Sequence, residues 1–184
     1  MNRRTRYPTP STSNHRIGLA LLLSSVMLFT ACPKVSQSSL DKAANASKTV
    51  STRYVETVEF VTELYKGGAI KLDMKDKIAD ALTTFGENGK KFNELLKTYS
   101  AQFSNGQVPA SIWATIAQNF DVLSADFLKI VALLPQAAGL GNSTAFRAIS
   151  AAVVALAQIL STNSIIPEMK FRQLEREVQR YGLV

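Results

Sequence analysis

From Leu40 onward apolar residues recur every three or four positions, the period of amphipathic helices, and no stretch shows the strict alternation of a strand. The first helix is predicted from about Leu40 to Tyr65, with Val50, Tyr54, Val58, Val61 and Tyr65 on one face and Gly67-Gly68 ending it. The second begins near Asp73 as its N-cap and carries the stripe Ile78, Leu82, Phe85, Gly89, Phe92, Leu96, Tyr99 and Phe103. Gly86 and Gly89 weaken that helix, so they mark either a turn around Asn88 or a close approach by a neighbour; the unbroken phase favours one kinked helix. A third helix opens with Pro109 at its first helical position and runs to about Leu134 with Ile112, Ile116, Phe120, Leu123, Phe127, Ile130 and Leu134 on its stripe and Trp113 beside it. After a Gly/Pro/Ala loop, Ser143 caps a fourth helix lasting to about Ser161, and a fifth follows Pro167 with Phe171, Leu174, Val178 and Tyr181 on one face. The fold class expected is all-α: an antiparallel bundle of about five helices in residues 40–184.

The first 31 residues follow another pattern. Arg3, Arg4, Arg6 and Arg16 precede an almost wholly apolar run, Ile17 to Phe29, and the small residues Thr30 and Ala31 stand before Cys32. A basic start, a short apolar run and small residues at a cleavage point make a secretory signal peptide; the run is shorter than the ~20 residues a membrane-spanning helix needs. The stretch Leu28-Phe29-Thr30-Ala31-Cys32 resembles the lipobox of bacterial lipoproteins, with Phe29 where leucine is commonest. That resemblance implies cleavage between Ala31 and Cys32, a diacylglycerol on the Cys32 thiol, usually acylation (palmitate or a similar chain) of the new amine, and a short tether over 32–39. Pro33 rather than aspartate after the cysteine implies the outer membrane, facing the periplasm, in a Gram-negative cell envelope. Cys32 is the only cysteine, so no internal disulfide is available to an exported chain, and lipidation would consume the lone thiol.

Cleavage changes the charge picture. The 184-residue chain carries a formal +7, but the four signal arginines leave with residues 1–31, and 17 basic side chains then face 14 acidic ones. A basic partner-binding surface for nucleic acid is therefore not expected, and Lys90-Lys91 alone is too small a patch to suggest one. Charge is also uneven: between Pro109 and Pro167 only Asp121, Asp126, Lys129 and Arg147 are charged. Helices three and four are accordingly expected as the buried middle, wrapped by helices one, two and five.

Candidate chemistry is sparse. His15 lies in the signal, so residues 32–184 lack histidine, which removes Ser-His-Asp and Cys-His arrangements and the usual zinc ligand sets. Glu56, Glu59 and Glu63 share a helix face, and Asp73, Asp76 and Asp80 sit around a helix start; both read as solvated or capping carboxylates rather than catalytic ones. Gly139-Leu140-Gly141 reads as a connecting loop. No catalytic residue, metal or cofactor is expected, and the chain is not expected to be an enzyme. Trp113, Phe120 and Phe127, spaced by seven, are a core seam or, as the sharper reading, a candidate ligand or partner surface. The leading functional expectation is a membrane-anchored envelope lipoprotein, held through lipid on Cys32, that binds another envelope protein or itself. The alternatives are a binder of a small apolar or lipid ligand, and a membrane-inserting hairpin over 109–161.

Overall fold

In the computed structural model, residues 37–103, 108–137 and 139–184 are described. The expected signal peptide, Ala31, Cys32 and the first part of the expected tether lie outside them. Five helices follow one another: α1 (Gln37–Lys66), α2 (Leu72–Gln102), α3 (Ala110–Leu133), α4 (Thr144–Thr162) and α5 (Glu168–Arg180). Short 3-10 turns at Leu134–Gln136 and Leu140–Asn142 link α3 to α4. The described residues contain no strand, and the chain is an all-α bundle.

The predicted boundaries hold within a few residues, with local differences. Lys71, not Asp73, occupies the N-cap of α2 and offers no side-chain hydrogen bond; Asp73 lies in the first turn, where its charge faces the positive helix end. Pro109 is the N-cap of α3 rather than its first helical residue. Ser143 caps α4 as expected, its hydroxyl accepting from the Phe146 amide at 3.3 Å.

Three helices end in the same hydrogen-bonded reversal. After α1, Ala69 N–H donates to Leu64 and Gly68 N–H to Tyr65, with Gly68 at φ 73°. After α5, Leu183 donates to Val178 and Gly182 to Gln179, with Gly182 at φ 63°. After α4, Ile165 donates to Leu160 and Ser164 to Ser161, but the left-handed position is filled by Ser164 at φ 56°. All three are Schellman motifs, and only the last places a side chain where Cβ crowds the backbone.

The helix order around the core depends on α1. Its inward positions are Leu40, Ala43, Ser47, Val50, Thr57 and Val61, a heptad-like stride in which three of the six residues are small or polar. Small side chains let α1 lie close to α2. A Cβ on Gly86 would come within 2.3–2.6 Å of the Tyr54 ring, and one on Gly89 within 2.9 Å of Val50 Cγ1. The glycines therefore mark a close approach, not a turn, and α2 runs unbroken through them. On its other side α1 packs antiparallel along alanine-rich α4: Ser39 Oγ donates to Asn163 at one end, and Gly139 sits beside Leu64 at the other.

This arrangement overturns the expected burial of α3 and α4 as a central pair. The backbone neighbours are α1 with α2 and α4, and α2 with α3, while α5 lies against both α4 and α3. Consecutive helices α3 and α4 meet through side chains: the Phe127 ring is 6.0 Å from Phe146 and 5.9 Å from Phe85. Low charge failed as a guide because alanine, serine, threonine and glutamine face water at little cost. Tyr65 also departs from its expected inward face and is exposed.

Gly86→Ala should destabilise the protein by about 1–3 kcal/mol through overpacking, although alanine is the better helix former. In a denaturant-melt double-mutant cycle, Tyr54→Ala should relieve most of that loss; additive effects would contradict the close contact. Ser164→Gly should raise stability by about 0.5–1 kcal/mol by releasing the left-handed strain. A lower melting temperature for that variant would count against the motif.

Candidate functional site

Trp113, Phe120 and Phe127 all project from α3 into the core, with relative exposures of 6%, 1% and 0%. Phe120 packs against Phe92 with ring centroids 6.3 Å apart, and Phe127 is flanked by Phe85 and Phe146. Tilted rings at these separations are ordinary aromatic packing. Phe120 and Phe127 thus join α3 to α2, and Phe127 joins it to α4 as well, while Trp113 is buried in the same core. Phe120 also borders an open groove.

That groove lies where α5 crosses α3 and has a volume of about 290 Å³. Its floor is Phe120, Ala125, Leu128 and Leu174; its rim is Asp121, Ser124, Lys170 and Gln173. Lys170 Nζ bonds Asp121 Oδ1 at 2.6 Å, tying the start of α5 to the middle of α3. α5 also holds Arg172 between Glu175 and Glu168, and the Glu175 hydrogen bond, followed by that of Glu168, keeps the guanidinium pKa above its ordinary value. On the opposite side of the bundle the Lys90 ammonium lies 5.0 Å from the centre of the Tyr54 ring. That tyrosine, foremost through its hydroxyl, raises the lysine pKa. Both groups stay cationic near neutrality, so neither is poised to exchange protons.

One carboxylate is buried. Asp126 is 5% exposed; its two oxygens accept from Asn88 Nδ2 and Lys129 Nζ, each at 2.7 Å. Burial of a charge is expensive unless it is paired and hydrogen-bonded, and here both oxygens are engaged. Lys129 keeps its head in water while reaching back along its own helix, so the unit joins α2 to α3 and fixes their register. The sequence marked Asp126 only as a rare charge; the Asn88 partner, 38 residues away, had no signal.

The carboxylates singled out by spacing are at the surface. Glu56 is paired with Arg53, Asp73 with Lys77, and Asp76 with Lys75; Glu59, Glu63 and Asp80 are exposed. Among the described residues no group of histidine, cysteine and carboxylate side chains has a metal-holding arrangement. Gly139-Leu140-Gly141 forms a 3-10 connection with Leu140 buried.

The outer face of α3 is unusual in another way. Ala110, Ser111, Ala114, Gln118, Val122, Ala125 and Ala132 face outward, with Val122 53% exposed. Lys129 is the one charged residue on this exposed stripe, and it is held by Asp126. α4 is long and apolar enough to cross a membrane by length and composition, and half of its most apolar window is buried in the bundle. Comparison with protein-family models, curated proteins and solved structures returns no match.

Asp126→Ala should cost about 1–3 kcal/mol, because the charge-assisted bonds vanish and Asn88 loses its partner. Asp126→Asn, which still accepts one bond, should lose less. Equal losses in urea melts would mean that side-chain volume, not hydrogen bonding, sets the value of this position.

Proposed function

We propose that this chain is an envelope lipoprotein, anchored through lipid on Cys32, whose bundle is a non-enzymatic module for binding another envelope protein. The observation that carries the reading is the outer face of α3, where a helix-length stripe of small and uncharged residues, broken only by the Asp126-paired Lys129, surrounds Val122. Such a face desolvates at low cost when a partner helix or sheet covers it, whereas charged faces resist burial. The lipobox-like Leu28-Phe29-Thr30-Ala31-Cys32 supplies the anchor, and residues 32–184 have no histidine for the commoner kinds of acid–base or nucleophilic catalysis.

A second reading rests on the groove beneath the Lys170–Asp121 bridge. Its apolar floor and polar rim suit one end of a small amphipathic ligand, and its volume lies near the lower limit of about 300 Å³ for ligand pockets. Native mass spectrometry separates the two, since bound non-protein mass lost on Leu174→Trp favours the ligand binder.

Cys32→Ala should abolish incorporation of labelled palmitate in cells; retained label would remove the anchor. A photo-crosslinking residue at Val122 should give a discrete protein adduct, while the same residue at exposed Thr83 on α2 should give none. Equal yields at the two positions would discard α3 as the docking face.

A further inference from the structure

The five lysines Lys42, Lys48, Lys90, Lys91 and Lys97 occupy the half of the α1/α2 pair that contains the start of α1. The register is fixed at that end by the Gln37 side-chain amide, which donates to the Ser100 carbonyl at 3.0 Å, and by the contact of Ser100 with Asp41. All five are exposed, and none is in an ion pair among the described residues. Asp41, Glu94 and Glu87, the last a helical turn before Lys90, oppose them there, so this half carries a net +2. The remaining described residues carry 11 basic and 11 acidic side chains, and seven of those cations are paired with carboxylates. Positive charge is thus concentrated at one end of the bundle, on lysines outside any ion pair among the described residues.

That end is where the chain leaves for Cys32. Four residues separate Cys32 from Gln37, and the five steps of chain between them span at most about 18 Å even when fully extended. If Cys32 is lipidated, the start of α1 is held no farther than about 18 Å from the lipid headgroups, and any less extended path of the tether lets it come nearer. Between α1 and α2 at the same end, an open cleft of about 380 Å³ is bordered by Asn45, Lys48, Lys97 and Ser100, with Asp41 also on its wall.

We propose that the face of α1 and α2 bearing Lys48 and Lys97 docks on the anionic headgroups of the membrane that carries the anchor. The lipid would then orient the bundle as well as retain it. This rests on the anchored-lipoprotein reading, because the short tether brings this face to the membrane. Charge complementarity selects the occupant: headgroup phosphates attract surface lysines by about fivefold in partition per residue.

The test uses the mature chain with Cys32→Ser, so that no lipid contributes, and vesicles of phosphatidylcholine with or without one-quarter phosphatidylglycerol in 20 mM salt. Co-sedimentation should be at least tenfold stronger with the anionic vesicles. Lys48→Glu with Lys97→Glu should lower that partition by more than twentyfold, while Lys66→Glu with Lys71→Glu, an equal charge change at the other end, should lower it by less than fivefold. Equal losses from the two pairs would show attraction by net charge alone and overturn the face. No preference for anionic vesicles would overturn the proposal while leaving the anchor to be judged by palmitate labelling at Cys32.

Discussion

The close approach of α1 to α2 is the constraint on which the bundle depends. Gly86 and Gly89 remove two Cβ atoms from α2, and Tyr54 and Val50 of α1 occupy the space. In an exposed helix each glycine would be a loss of about 1 kcal/mol relative to alanine. Here the deficit is offset by interhelical packing, and it determines which helix becomes central. With one side against α2 and the other against alanine-rich α4, α1 is the shared partner of both.

The same placement explains α5. Because α3 and α4 are not backbone neighbours, a seam remains between them, bridged inside by Phe127 and Phe146. α5 closes it from outside, burying Phe171, Leu174 and Val178 and attaching to α3 through Lys170 and Asp121. The groove under that bridge is a product of a short helix crossing a longer one. The outer side of α3 remains open to solvent, and its neutrality becomes a surface property rather than a sign of burial.

Polar groups divide along the bundle in a related manner. Asp126 is the buried charge, and Asn88 and Lys129 satisfy both its oxygens. Elsewhere carboxylates and cations mostly pair on the surface, where each pair contributes little to stability. The lysines of the α1/α2 end, outside any ion pair among the described residues, stand apart from that pattern, and the proposed docking on a membrane rests on them.

Hydrophobic periodicity by itself determined that there are five helices, their approximate ends and most of their inward residues, because a 3.6-residue repeat is a local property of each segment. Gly67-Gly68 and Ser143 were legible for the same reason: helix ends are built from consecutive backbone groups. Ser164 escaped because a serine in the left-handed position has no compositional mark. The expectation of an export signal ending at Cys32 likewise rests on a local motif, read without any fold. What only the tertiary structure decided was who neighbours whom. Gly86 was ambiguous until Tyr54 was seen against it, Asp126 until Asn88 was found, and α3 until its outer side proved uncovered. Those facts join residues tens of positions apart, and their energies depend on interhelical distance and register, which no single helix encodes.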